Sequence, residues 1–222
     1  MKAIRKNSGT LKTLYVVRHG SSEGNEGVEF QHPDSPLSVT GKAQAEQIAL
    51  RATKLDFEAI IASPLARAWD TALAISRACD KPVERLDLLV ERVKPTELLG
   101  KRLDDPEAME LCDQWEESLS TPGMRVQDGE NFDDLISRAD AVLAHMLARP
   151  EKSILAVSHG YFTRMLIARV LMPTTLTGEQ YGELHWNIVM QNTGISVFQY
   201  VENFRGKQHW RLTTHNDQAH LG

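Results

Sequence analysis

The sequence predicts an α/β fold, a three-layer α/β/α sandwich around a mostly parallel central sheet. Two observations carry this. Short apolar runs of strand length alternate with longer amphipathic segments through most of the chain. Three of those runs, ending at Val17, Ala62 and Val157, stop abruptly at small or polar residues that lead towards a helix, the junction expected at the carboxyl edge of a parallel sheet.

In order, Met1 to Thr10 lacks the apolar core of a signal peptide and reads as a loose N-terminal tail. Leu11 to Val17 is the first strand. Thr40 to Leu50 reads as a helix with Thr40 at its N-cap. Ala59 to Ala62 is a short buried strand, and Ser63-Pro64 opens the next helix as N-cap and first helical residue. An extended segment covers Pro82 to Leu89. Residues 94–130 are polar and punctuated by Pro95, Gly100, Pro106, Pro122 and Gly123. They read as an insertion over one side of the sheet, with a helix at Pro106 to Glu117. Phe132, Leu135, Ile136, Ala139, Val142, Leu143, Met146 and Leu147 recur at helical spacing. Ser153 to Val157 is a buried strand, Gly160 to Leu171 a helix, and Gly194 to Tyr200 and Gln208 to Leu212 the last two strands. Residues 11–222 are expected to form a single domain, a size that supports a substantial core.

Composition narrows the function. The net charge of −5 argues against a broad nucleic-acid-binding face, but leaves room for a locally cationic pocket. Cys79 and Cys112 form no metal-type pair and read as reduced, mostly buried thiols of a cytoplasmic protein. No apolar run reaches membrane-spanning length, so no membrane partner is expected. The histidines show no ligand spacing, and neither metal nor cofactor is expected.

Chemistry concentrates at the three junctions. Arg18-His19-Gly20 places a guanidinium, whose fork of donors suits phosphate, beside an imidazole able to act as nucleophile or base. Arg67 falls in the first turn of the helix after Ser63-Pro64, near its positive end. His159, in Ser158-His159-Gly160, lies between a buried strand and a helix N-terminus, whose N–H groups favour an anion. Taken singly, each has a plain alternative: a solvated strand end, an arginine paired with Asp70 or Glu58, a hydrogen-bonded structural histidine. Three such junctions on one sheet edge describe an anion cage.

These segments resemble the histidine phosphatase superfamily, also called the phosphoglycerate mutase-like family. The resemblance rests on Arg18-His19-Gly20 with Ser22 and Asn25, on Leu37-Ser38-x-x-Gly41-x-x-Gln44-Ala45, and on Ser63-Pro64-Leu65-x-Arg67-Ala68-x-x-Thr71-Ala72. Gly129-Glu130 before a long helix, Ser158-His159-Gly160 and the late Asn192 complete it, in the family's order from Leu14 to Ile195. It implies a phosphoglycerate mutase-like fold and a phosphohistidine intermediate on His19. Arg18, Arg67 and His159 would hold the phosphoryl oxygens, with Asn25, Ser22, Gln31 and Gly160 near phosphate or substrate. Glu91, in Leu88-Leu89-Val90-Glu91-Arg92, would be the proton donor and acceptor, with Glu84 and Glu97 as competitors.

The resemblance implies a phosphomonoester hydrolase acting on a small phosphorylated substrate. A phosphoglycerate mutase-type phosphotransferase is the alternative. Residues 94–130 hold only Lys94, Lys101, Arg102 and Arg125 among many acids, and Glu23-Gly24-Asn25 departs from the Trp-Asn common in mutases, so hydrolysis is favoured. A non-catalytic phosphate-binding module on the same fold, a phosphoprotein substrate and a homodimer stay open. Trp69, Met146 and Met165 read as core. His32, His145 and His209 read as solvated. The run His215 to Leu221 is expected to cover or trim the site.

Overall fold

The structure, a computed structural model, describes residues 9–222. Its strands are β1 (Thr10–Arg18), β2 (Ala59–Ala62), β3 (Val83–Arg85), β4 (Ser153–Ser158), β5 (Ile195–Glu202) and β6 (Gln208–Asp217). They form one sheet in the order β3-β2-β4-β1-β5-β6. Strands β1 to β4 pair in parallel, while β5 and β6 are antiparallel. The helices are α1 (Glu23–Glu26), α2 (Val39–Ala52), α3 (Ala66–Cys79), α4 (Pro106–Glu117), α5 (Phe132–Ala148), α6 (Gly160–Leu171) and α7 (Gly178–Leu184). Among the described residues, no helix is long and apolar enough to cross a membrane.

The two faces of the sheet carry separate cores. Leu14, Val16, Ile154 and Ala156 pack against Leu135, Ala139, Val142 and Met146 of α5 and Phe162, Met165 and Leu166 of α6. Val17, Leu155 and Val157 face the other way, onto Ala45, Ile48 and Ala49 of α2 and Ala68, Ala72 and Ile75 of α3. Alternation along β1 and β4 therefore assigns successive residues to opposite cores. Residues 94–130 fold around a third cluster, in which Leu98, Ala108, Trp115 and Val126 enclose Phe30.

Several boundaries differ from the sequence reading. Helix α2 starts one residue early and is capped by Ser38, not Thr40, because the Ser38 hydroxyl accepts from the Gly41 N–H at 3.0 Å. Helix α3 starts at Ala66 with Leu65 at its cap; Ser63 does not cap it, its hydroxyl being turned to His159. The segment expected as extended over Pro82 to Leu89 is a three-residue strand followed by a 3-10 turn at Asp87–Leu89. Helix α7 carries too few apolar positions to register as a period and was not anticipated. Thr10 opens β1, and the rest of the expected tail, residues 1–8, lies outside the described residues. Met146 and Met165 are fully buried and Trp69 half-buried, stacked on Arg85. His32 is exposed, but His145 and His209, expected in solvent, are half-buried. Cys79 and Cys112 are free and half-buried, and burial pushes both thiols up from their ordinary range.

The Leu37-Ser38-x-x-Gly41 segment proves to be a clamp on the loop after β1. A Cβ at Gly41 would lie 1.7 Å from the Ser21 carbonyl oxygen, and one at Gly20 2.6 Å from the Gly41 oxygen. The Ser38 N–H donates to Ser21 O at 3.0 Å, and the Ser21 N–H to Gln44 Oε1 at 2.8 Å. Gly41→Ala is therefore expected to destabilise the protein by about 3 kcal/mol, since two backbones must separate. Urea unfolding measures this, and a loss under about 0.5 kcal/mol, the scale of ordinary surface changes, would contradict it.

Candidate active site

The site lies at the carboxyl edge of three adjacent strands. Past the paired residues of β1, β4 and β2, the His19 N–H donates to Ser158 O and the Ser63 N–H to Val157 O, each at 3.0 Å. The ladders thus run one residue beyond the strands, and the side chains that follow are held by sheet geometry rather than by free loops. His19 follows β1, Ser63 follows β2, and His159 follows β4 as the residue before α6. Arg67 projects from the first turn of α3.

His19 is 2% exposed. Its Nδ1 lies 2.7 Å from the Gly20 carbonyl, which can only accept, so Nδ1 carries the proton. Nε2 then holds a lone pair, onto which Arg67 Nε donates at 3.2 Å. Burial, with Arg67 and Arg18 adding, holds this imidazole well below its usual range. The ring is neutral, with the lone pair of Nε2 beside a cation. Its backbone is equally constrained: Asn192 Nδ2 donates to His19 O at 2.9 Å, and Thr193 N to Arg18 O at 2.9 Å. Gly20 N donates to Thr71 Oγ1, whose hydroxyl donates to Arg67 O at 2.7 Å. One threonine of the Ser63 to Ala72 segment therefore ties the loop after β1 to the helix carrying Arg67.

Arg67 is 3% exposed, forms no salt bridge with Asp70 or Glu58, and also donates from Nη1 to Pro33 O at 3.3 Å. Burial, with Arg18 adding, lowers it to about 10, so it stays charged at neutral pH. Arg18 donates from Nη1 to Met190 O. Its Nε is buried without a partner. A Cβ at Gly160 would lie 3.2 Å from that Nε, so the glycine lets Arg18 lie against the start of α6. His159 is fully buried, with Nε2 2.8 Å from Ser63 Oγ and Nδ1 unpartnered. Its ring centroid is 5.0 Å from that of His19. Two buried polar atoms at these junctions, Arg18 Nε and His159 Nδ1, thus have no hydrogen-bond partner within the fold.

His159 is also held well below the usual range, by burial first and Arg67 next. Below about pH 6.5, the ordinary histidine value, the unfolded chain binds protons at His19 and His159 that the folded chain refuses. Stability is therefore complete above that pH and falls as the pH drops, by up to about 1.4 kcal/mol per pH unit for each ring. The urea midpoint should decrease between pH 7 and pH 5; a constant midpoint would refute the buried neutral pair.

Glu91 lies at the end of the segment after the Asp87–Leu89 turn. Its Oε1 accepts from the N–H groups of Arg92 at 3.0 Å and Phe162 at 2.9 Å, and Oε2 from Tyr161 at 3.2 Å. Since His159 offers α6 no side-chain cap, the Glu91 carboxylate occupies that helix's positive end. Two arginines, Arg92 buried and Arg138 half-buried, hold the segment. Arg138 donates to the carbonyls of Leu88, Val90 and Glu91 while paired with Glu130 at 2.6 Å. The Arg92 guanidinium avoids Glu91 and bonds Glu116, Tyr161, Trp115 O, Ser118 and Glu130 O. The competitors lie elsewhere: Glu84 pairs with Arg149, and Glu97 accepts from Gln127.

Ser22 is buried and caps α1 in a reciprocal box with Asn25, using the Asn25 Oδ1 but not its amide nitrogen. Asn25 is exposed. Gln31 donates to Ser22 Oγ and borders, with Arg67, Glu91 and Lys94, a cleft of about 290 Å³. The C-terminal run bonds the residues just before β5. His220 Nε2 lies 3.0 Å from Thr193 Oγ1, and Asn216 Oδ1 accepts from Gln191 N at 2.9 Å. Sequence reasoning passed over Ser63 as a partner of His159, Thr193, the two arginines that hold Glu91, and Lys94. A buried arginine next to the candidate acid, at Arg92, is not distinguishable in sequence from a surface one.

A family model described as the histidine phosphatase superfamily (branch 1) matches residues 14–218. The chain is 34% identical over 216 residues to the probable phosphoglycerate mutase GpmB of Proteus mirabilis, covering 94% of each. It is 33% identical over 219 residues to that of an Enterobacter species, with 94% of each covered. Among solved structures it is similar to a mutant phosphoserine phosphatase from Entamoeba histolytica in complex with phosphoserine, with TM-score 0.74 and 25% identity over 95% of this chain and 99% of that one. The same phosphatase is also known in complex with 3-phosphoglyceric acid, with TM-score 0.72, 25% identity and the same shares of each chain. A mycobacterial glucosyl-3-phosphoglycerate phosphatase shares the fold, with TM-score 0.72 and 22% identity over 93% of this chain and 99% of that one. The match spans every strand-end junction from which the cage is built, and this chain belongs to the histidine phosphatase superfamily.

Proposed function

We propose that this protein is a phosphomonoester hydrolase working through a phosphohistidine on His19. The observation that carries the reading is the His19 Nε2 lone pair, set by the Nδ1 bond to Gly20 O and flanked by Arg67. Nε2 attacks phosphorus, and the P–O bond to the leaving group breaks in line. Arg18, Arg67 and the unpartnered His159 Nδ1 take the charge on the non-bridging oxygens, where positioning and electrostatics do most of the work. Glu91, protonated for this step, gives its proton to the departing oxygen. Water then attacks phosphorus, its proton passes to the Glu91 carboxylate, and the N–P bond breaks to release phosphate.

Hydrolysis is favoured over transfer by the charge of the cleft. A mutase must hold a doubly phosphorylated intermediate. The cations bordering this cleft are Arg67, Lys94 and Arg92, and the Arg92 guanidinium is already saturated by protein acceptors. One ammonium beside the cage is a poor match for a second phosphate dianion. The relatives called probable phosphoglycerate mutase keep the transferase reading as the alternative.

A labelled phosphomonoester separates the two. Rapid quenching should capture acid-labile, base-stable label on the protein, and a chase should release it as inorganic phosphate even with 3-phosphoglycerate present. Label passing mainly to the glycerate acceptor would make the protein a mutase, and absence of any phosphoenzyme would refute the mechanism.

A further inference from the structure

The turn that leads into β5 holds the main chain of Arg18 and His19. It is closed by the Gly194 N–H, which donates to Gln191 O at 3.0 Å. Within it the Asn192 amide donates to His19 O at 2.9 Å, and the Thr193 N–H to Arg18 O at 2.9 Å. Gly194 O accepts in return from the Arg18 N–H at 3.2 Å. Thr193 is fully buried and adopts a φ of +60°. That left-handed conformation suits glycine or asparagine in a turn and is an outlier for a β-branched residue. It persists only where the surroundings over-determine it.

The last residues of the chain supply part of that determination. Asn216 Oδ1 accepts from the Gln191 N–H at 2.9 Å, at the first corner of the turn. Gly194 leaves room for this amide, since a Cβ there would overlap its oxygen. His220 Nε2 lies 3.0 Å from Thr193 Oγ1, at the strained residue itself. The threonine hydroxyl has one proton, which it donates to Asn192 O at 2.7 Å. Towards the ring Oγ1 can only accept, so His220 Nε2 carries a proton and donates it. His220 Nδ1 is buried without a partner. Burial holds this imidazole below its ordinary range against the field of Asp217, in keeping with a neutral ring whose Nδ1 is bare. Asp217 anchors the run: it pairs with Arg51 of α2 at 3.2 Å and accepts from the Ala219 N–H at 2.9 Å.

We infer that His220 is a positioning residue for the nucleophile. Its donated bond locks Thr193 in the left-handed conformation, and Thr193 with Asn192 fixes the main chain from which the Arg18 and His19 side chains project. This rests on the hydrolase reading above, and gives the C-terminal run a part in the reaction without contact to substrate.

Burst kinetics on p-nitrophenyl phosphate test it, read as the rate constant for phosphoenzyme formation at saturating substrate, beside the inhibition constant for inorganic phosphate. His220→Phe keeps the bulk of the ring without its donor and should slow phosphorylation about tenfold, the weight of one hydrogen bond spent on alignment. The inhibition constant should move by less than about threefold, because the side-chain anchors of Arg18, Arg67 and His159 stay in place. In His220→Gln the amide nitrogen can take the place of Nε2, and most of the rate should return. Thr193→Val removes the acceptor and should slow the same step, and His220→Phe added to it should cost little more. A histidine that only supports the fold would lower the melting temperature and leave the rate of the folded enzyme unchanged. The inference is overturned if His220→Phe phosphorylates within about twofold of the unaltered protein, if the Phe and Gln variants are slowed equally, or if the His220 and Thr193 losses multiply. Nitrogen-15 NMR of histidine-labelled protein checks the bond without turnover: His220 should carry its proton on Nε2 with Nδ1 bare, and the opposite tautomer would also overturn the inference. If the unaltered protein forms no phosphoenzyme, the hydrolase reading fails and this inference falls with it.

Discussion

Replacing His19 by alanine is expected to lower kcat by about 10⁴-fold or more on every phosphomonoester, because in the proposed mechanism the substitution removes the atom that would form the bond to phosphorus. The remaining cage should still bind its anion. Arg18, Arg67 and His159 come from three different junctions, and none depends on the His19 ring for its main anchor: Arg18 is held by Met190 O, Arg67 by Pro33 O and His159 by Ser63. Inorganic phosphate should therefore raise the melting temperature of His19→Ala as well as that of the unaltered protein, by simple mass action on the folded state. That pairing separates loss of chemistry from loss of fold. Turnover within tenfold of the original, in a variant that binds phosphate, would remove His19 from the role of nucleophile.

Glu91→Gln is expected to show a loss that depends on the leaving group. An alkyl phosphate departs as a strongly basic alkoxide and needs a proton in the transition state, so kcat should fall by about 10²- to 10⁴-fold. Aryl phosphates such as p-nitrophenyl phosphate leave as stable phenolates, and for them the first step should be affected far less. Glutamine keeps an oxygen to accept from the Phe162 or Tyr161 N–H, so α6 retains part of its cap and the geometry of His159 should survive. Equal losses on alkyl and aryl substrates would mean that Glu91 positions the helix end without moving a proton.

Much of this arrangement is legible in the order of residues, and the reasons are local. Strand-to-helix junctions are written in short apolar runs that end at small polar residues, so Arg18-His19-Gly20, Ser63 to Arg67 and Ser158-His159-Gly160 declare both a parallel sheet and its functional edge. Helix α5 was readable because its apolar face repeats over 17 residues. Helix α7, seven residues long, has no comparable repeat. Caps depart from the sequence expectation where a side chain has a competing partner. Ser63 looks like the start of α3, yet its hydroxyl serves His159 across 96 positions of sequence.

Short stretches of sequence are enough for the sheet class, the three junctions and the residue types gathered there, because each depends on a handful of consecutive residues. The folded chain alone sets which nitrogen of His19 keeps its lone pair, since that follows from a carbonyl on one side and Arg67, 48 residues away, on the other. It also decided that Glu91 faces the positive end of α6 while Arg92 turns inwards, and that Lys94 shares a cleft with Arg67. Burial and long-range pairing set the charge and aim of a side chain, and neither is a property of the segment that carries it.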